Sequence, residues 1–337
     1  MTLDIPAPYL LFLGDVTDPI DVKSAFGVRD WAPERVVGEL ALPAATVTLG
    51  LPAMAPAQAA AAGAKAILIG AVNMGGFIPR NWLPSLLAGL EAGLDIVSGM
   101  HRKLASVPEL AEAAERLGRK LIDVRVPPAD IAVGNGNPRT GKRLLTVGTD
   151  CAMGKKYTSL ALARALHAQG VDATFRATGQ TGIMISGSGL PMDSVVVDFA
   201  SGAAERLSPD AAADHWDVIE GQGSLLHPGF AGVTLALLHG SQPDVMVLCH
   251  DPRRTVIRGL PDISIPPLND VMALYLPLAR LTNQTTRFAG VSLNTHGLSE
   301  IEAATALKTA EAETGLPAAD PVRGGAAFDQ LVEACVG

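Results

Sequence analysis

The segment GTDCAMGKKYT, residues 148–158, joins an apolar run at 143–148 to an Ala- and Leu-rich stretch whose spacing predicts a helix over 156–169. A strand-to-helix loop of this kind presents backbone N–H groups, and the helix N-terminus adds partial positive charge; together they suit a phosphate. Lys155 adds a point charge for a phosphate oxygen. The loop departs from the usual phosphate-loop pattern in two ways. Five residues separate Gly148 from Gly154, one more than the pattern allows, which leaves Thr149 where its first glycine would stand. Lys156 stands where a Ser or Thr hydroxyl would ligate magnesium. Gly148, Thr149, Asp150, Cys151, Gly154, Lys155, Lys156, Tyr157 and Thr158 are therefore the candidate phosphate-binding residues. The alternative is an ordinary turn that happens to contain Gly and Lys, and the coincidence of loop, lysine and helix argues against it. For Cys151, a helix N-terminus is expected to lower the thiol pKa, although a small apolar loop residue is the commoner role.

A second constellation is WDVIEGQGSLLHPGF, 216–230. An acid at the carboxyl end of a strand faces the ligand crevice of an open α/β sheet. That position falls to Glu220, followed by Gly-Gln-Gly and, a few residues on, by His227. Glu220 reads as functional rather than as a solvated loop carboxylate; His227 is as readily structural as catalytic. Gln180 and Thr181 lie in a glycine-rich stretch, 175–193, that reads equally as a binding loop or a flexible surface loop. Asn294 sits at a strand end where an amide can meet a base edge, and His250, Asp251 and Arg254 sit at another. In the first half, Asn73, Arg80, His101 and Arg102 follow strands and are expected to line a cleft between domains. Arg suits a carboxylate, and surface salt bridging is the competing reading.

The elements that must position these residues alternate throughout. Apolar runs at 9–15, 45–51, 65–72, 94–100 and 120–126 read as buried strands separated by helical stretches, which implies a parallel sheet with helices on its faces. No GxGxxG follows the first strand. A Pro-, Gly- and Asn-rich stretch at 129–142 reads as a linker between an α/β domain at 1–128 and a second α/β domain at 143–337. In the second domain, strands are expected at 143–148, 173–178, 216–221, 244–250 and 288–294. Helices are expected at 156–169, 231–240, 269–282, 298–314 and 326–336. The segment 193–207 mixes a valine run with helical spacing and is assigned to a helix after Asp193.

Composition limits the partners. With 48% hydrophobic residues in 337, the chain fills a core without staples. A net charge of −8 disfavours nucleic acid and anionic membranes. The three cysteines are isolated, with no zinc-like Cys/His spacing. The first residues lack the basic and apolar regions of a signal peptide, and no run is long enough to span a bilayer. The expectation is a cytoplasmic protein with a small-molecule substrate, a homo-oligomer by analogy with similar enzymes.

GTDCAMGKKYT, EGQGSLLHPGF and the strand-end Asn294 resemble the dethiobiotin synthetase branch of phosphate-loop proteins. In that branch the loop holds phosphates, the strand-end acid serves the metal and the Asn reads adenine. SGMHRKL, DVRVPP, GTDC…GKKYT, the TGQTGI region, EGQGSL and the LCH…RT run together are similar, over nearly the full length, to the DgcN family, formerly a domain of unknown function. That resemblance implies an N-terminal Rossmann-like domain, a C-terminal phosphate-loop domain, and acetyl transfer from acetyl-CoA to the amine of D-glutamate in D-amino-acid catabolism. Under it, Glu220 or His227 is the base. The amides of 221–223, around Gln222, or the turn at 180–182 serve the oxyanion, and Arg80 or Arg102 holds a substrate carboxylate. No metal is expected, since coenzyme A binds without magnesium and Lys156 replaces the metal-ligating hydroxyl. The competing readings are an ATP- and magnesium-dependent ligase or kinase of the dethiobiotin synthetase type, using Thr158 or Asp150 as the metal ligand, and a non-catalytic nucleotide sensor.

Overall fold

The computed structural model describes residues 3–73 and 75–337. They form two units, one running through Pro128 and including Gln180–Ser194, the other made of Ala129–Gly179 and Val195–Gly337.

The first unit is built on five parallel strands, β2 (Tyr9–Gly14), β3 (Val36–Ala41), β4 (Ala66–Ile69), β5 (Asp95–Ser98) and β6 (Leu121–Asp123), in the order β3-β2-β4-β5-β6. β2 and β4 are buried at every position, as expected of apolar runs covered on both faces. Helices α1 (Lys23–Trp31), α2 (Pro56–Ala61), α3 (Leu83–Glu91) and α4 (Pro108–Leu117) make the connections. The strand order reverses between β2 and β4, the position at which open α/β sheets gather ligand-facing loops. The chain returns to this unit as α6 (Gln180–Ser186) and β9 (Ser188–Gly189), which pairs antiparallel with β1 (Leu3–Asp4).

Two expectations fail here. Residues 45–51 are not a strand. Glu39, buried on edge strand β3, accepts from Thr48 Oγ1 (2.5 Å) and from the amides of Leu49 (2.7 Å) and Leu51 (3.4 Å). Amides committed to a carboxylate cannot enter a ladder, so the run stays irregular. The stretch 180–186 is a helix rather than a loop, because Ile183, Met184 and Ile185 are buried and α6 packs on α1.

The second unit holds six parallel strands, β7 (Lys142–Gly148), β8 (Ala173–Arg176), β10 (Trp216–Ile219), β11 (Val245–His250), β14 (Arg287–Leu293) and β15 (Ala318–Ala319), in the order β15-β14-β11-β7-β10-β8. Helices α5 (Lys155–Ala168), α7 (Val197–Leu207), α8 (Ala231–Ser241), α9 (Leu268–Ala279), α10 (Glu300–Thr314) and α11 (Ala326–Val336) accompany them. A hairpin, β12 (Val256–Ile257) with β13 (Leu260–Ser264), follows β11. The ambiguous segment 193–207 thus resolves as helix from Val197 onward, with Val195 and Val196 leading into it. Among the described residues, no helix is long and apolar enough to cross a membrane.

Candidate active site

The phosphate-type loop leaves β7, near the middle of the second sheet, and enters α5. Its turn needs unusual backbone: Ala152 has φ 56° and Gly154, the N-cap of α5, has φ 106°, a region that disfavours side chains. Lys155 folds back into the loop, and its ammonium donates to the carbonyl of Asp150 at 2.8 Å. Only 7% of Lys155 is exposed, and burial pulls its pKa down from the ordinary lysine value. A buried ammonium with so little neutralisation is held ready for an anion.

Asp150 is fully buried and its carboxylate is committed. Oδ1 accepts from the Cys151 amide (2.6 Å), and Oδ2 accepts from Arg254 Nη1 (3.0 Å) and the Arg258 amide (2.7 Å). Arg254 Nη1 also donates to the carbonyl of Cys151 at 2.7 Å. The loop is therefore pinned by the segment after β11, and two arginines join the lysines around it. The Thr158 hydroxyl lies inside the fold, 2.7 Å from Ser292 Oγ and donating to the Gly154 carbonyl at 3.2 Å. The Cys151 thiol departs from expectation. Its pKa is raised, because burial outweighs the lowering by Lys155. Lys156 lies over the Tyr157 ring, 4.4 Å from its centroid.

Glu220 follows β10 and is 4% exposed. Its Oε2 accepts from the amides of Thr178 (3.0 Å) and Gly179 (3.2 Å), and Thr178 Oγ1 donates to its carbonyl at 2.7 Å. Burial pushes the carboxyl pKa up against the opposing charge of Lys156 and the two amides. The next residue is sterically fixed as glycine, since a Cβ on Gly221 would lie 1.7 Å from the Thr146 carbonyl oxygen. The Gly221 amide donates to Thr146 Oγ1 at 3.0 Å, which removes it from the possible oxyanion donors. Gln222 packs against Gly179, where a Cβ would come within 2.2 Å of its Nε2.

His227 returns to the loop. One of its ring nitrogens, the Cys151 sulfur and an Asp150 carboxylate oxygen all lie within 4.8 Å of one another. Nδ1 accepts from the Gly229 amide at 3.1 Å, so the neutral ring carries its proton on Nε2. Asn294 also borders the loop, with its Cβ 3.9 Å from where a Cβ on Gly154 would sit. Its Oδ1 accepts from the His296 amide at 3.2 Å.

The other candidates belong to the first unit. Asn73 spans its own turn, exchanging hydrogen bonds with the backbone of Phe77. Arg102 lies over the Phe77 ring at 5.8 Å, and its amide donates to the Gly76 carbonyl at 2.9 Å. The loops after β4 and β5 thus bring Asn73 and Arg102 together. Arg80 is exposed in a 3₁₀ turn, Arg80–Trp82. Gln180 Oε1 accepts from Arg125 Nε at 3.1 Å, and Thr181 Oγ1 is 3.0 Å from Ser24 Oγ. These two side chains serve the packing of α6, and the turn at 180–182 is its first turn. Sequence reading did not anticipate Thr146, Thr178 or Tyr275 at the site. The Tyr275 hydroxyl, in α9, donates to the Gly148 carbonyl (2.9 Å) and accepts from the Leu225 amide (3.2 Å).

Residues 131–332 match the family model described as the DUF1611 C-terminal P-loop domain, and residues 35–127 match its N-terminal Rossmann-like domain. A curated D-glutamate N-acetyltransferase of Tritonibacter scottomollicae is 50% identical over 330 residues, 98% of each chain. One from a Pseudoalteromonas species is 47% identical over 323 residues, 96% of this chain and 97% of its own. The crystal structure of a DUF1611 family protein from Anabaena variabilis superposes with a TM-score of 0.83 at 34% identity, covering 97% of this chain and 99% of that one.

Proposed function

The chain belongs to the DUF1611 family, and on that premise we propose that it is a D-glutamate N-acetyltransferase that draws its acetyl group from acetyl-CoA. The observation that carries the reaction is the match, at about half identity and nearly full length, to two curated enzymes of that name. The donor is argued from the loop. Its buried Lys155 and neighbouring Lys156 suit the pyrophosphate of coenzyme A, which needs no metal to bind.

In this reading Glu220 takes the proton that the amine of D-glutamate must lose. A carboxyl whose pKa is raised by burial is a stronger base than an ordinary one, closer to the optimum for proton transfer near neutral pH. The freed amine forms a C–N bond to the thioester carbonyl and negative charge builds on its oxygen; the nitrogen then gives up its second proton, the C–S bond breaks, and the departing thiolate takes a proton to leave as coenzyme A. With the Gly221 amide engaged, the amides of Gln222 and Gly223 or those of the first turn of α6 at 180–182 are the candidates for that oxygen. His227 beside the loop is the second candidate base. Arg80 and Arg102 lie in the first unit, and neither is in an ion pair among the described residues.

The test is a direct assay. The purified protein is incubated with acetyl-CoA and either enantiomer of glutamate, thiol release is followed, and the product is identified by mass spectrometry. N-acetylglutamate from the D enantiomer, formed with no ATP present, is expected. Absence of thiol release above the blank, or a requirement for ATP, would overturn the proposal.

A further inference from the structure

The second unit contains a cavity of about 500 Å³ beside α10, within the range of small-molecule sites. Leu293, Leu298, Ile301 and Ala306 supply its apolar walls, Glu302 and Glu313 its acidic edges, and Arg253 a cation. We propose that this cavity receives the nucleoside end of the acyl donor; the inference rests on the coenzyme A reading above and adds a subsite to it.

Three observations carry it. The cavity adjoins the phosphate loop through one residue: His250 lines it, and His250 Nδ1 lies 2.9 Å from Thr149 Oγ1 in the loop. The loop and the cavity are therefore neighbours that meet at His250. The side of the sheet is also right. His250 and Leu293 end β11 and β14, whereas Glu220 follows β10 on the other side of β7. β10 and β14 are three strand spacings apart, roughly 14 Å. A coenzyme A thioester laid across the loop thus places its thioester near Glu220 and its nucleoside near α10.

The lining chemistry selects among occupants. Glu313 Oε1 accepts from the Leu268 amide (2.6 Å), and Glu302 Oε2 accepts from Ser299 Oγ (2.7 Å). Each carboxylate keeps acceptor capacity beyond these bonds. Arg253, in the same lining, offers a cation to the 3′-phosphate that coenzyme A carries on its ribose. The two carboxylates accept from the exocyclic amine of a purine, whose flat ring suits walls of Leu, Ile and Ala.

Thr305 and Thr309 also line the cavity, one helical turn apart on α10, and both are exposed. Tryptophan at either position fills the space from the surface. The experiment measures kcat/KM for acetyl-CoA and for S-acetyl-pantetheine, which lacks the nucleotide, in the parent, Thr305→Trp and Thr309→Trp. Calorimetric titration with adenosine 3′,5′-bisphosphate runs alongside, and thermal unfolding verifies that each variant is folded. The preference for acetyl-CoA over S-acetyl-pantetheine is expected to fall at least tenfold, and bisphosphate affinity is expected to fall with it. A preference within twofold of the parent in a folded variant would overturn the assignment, as would equal losses with both donors. A parent that makes no product from acetyl-CoA would remove the donor reading instead. The titration then decides the cavity separately: binding to the parent that the tryptophans abolish supports it, and no binding to the parent refutes it.

Discussion

Under the proposed mechanism the chemistry rests on one buried carboxyl, that of Glu220. Because burial raises its pKa, the rate it supports is expected to fall on the acid side at a higher pH than the roughly 4.3 of an unperturbed Glu. Glu220→Gln is expected to lower kcat by about 10²-fold or more, to leave KM for acetyl-CoA within about threefold, and to abolish that acid limb. Stability gives a second readout. A carboxyl whose folded pKa lies above its unfolded value favours the folded state when protonated, and that contribution is lost as pH rises through the folded value. Glutamine copies the protonated form, so the variant is expected to melt above the parent at alkaline pH and to converge with it under acid conditions. Unchanged turnover would take Glu220 out of the reaction. A lower melting temperature at neutral and alkaline pH that converges with the parent under acid conditions would show that its charged form is stabilised by the Thr178 and Gly179 amides more than burial penalises it.

At the level of elements, the loop after β7 is held by a brace from α9. The Tyr275 hydroxyl ties the Gly148 carbonyl to the Leu225 amide, and burial pushes its pKa up to about 12. It therefore acts as a fixed neutral donor. Tyr275→Phe leaves two backbone groups without their partner, at about 1–3 kcal/mol for a buried one. The expected result is a melting temperature lower by several degrees and a severalfold higher KM for acetyl-CoA; parental values for both would mean that water replaces the brace without consequence. The brace also marks where sequence reading stopped. β2, β4, β5, β7, β10, β11 and β14 were legible because strands buried on both faces are continuous apolar runs. β3 was not, because Gly38 and Glu39 interrupt it, and the attractive run at 45–51 was captured by that same Glu39. The loop and Glu220 were legible from residue type and position. Their supports were not: Thr178 reaches Glu220 across 42 positions, Arg254 reaches Asp150 across 104 and Tyr275 reaches Gly148 across 127. No local pattern encodes such contacts.

Over the whole molecule, a net charge of −8 opposes a polyanionic donor at long range. Affinity must therefore come from cations at short range, and the loop gathers them: Lys155 inside it, Lys156 after it, and Arg254 on Asp150. The same concentration of positive charge argues against magnesium at the loop. A magnesium ion at such a loop is normally held by the hydroxyl directly after the lysine, a position filled here by Lys156. At ~4 Å and an effective dielectric near 20, each like charge opposes a divalent ion by several kcal/mol, reduced but not reversed by solvent. The substitutes are already engaged. The Thr158 hydroxyl is 2.7 Å from Ser292 Oγ within the core. Asp150, although grouped with Cys151 and His227, gives its oxygens to Arg254 and to two amides. An ion there would have to displace a guanidinium that already neutralises the acid. Excess EDTA is therefore expected to leave the initial rate of acetyl transfer nearly unchanged. Loss of most activity, restored by magnesium but not by calcium, would mean that the Arg254–Asp150 pair opens when the donor binds, and it would make ATP with magnesium the ligand to test next.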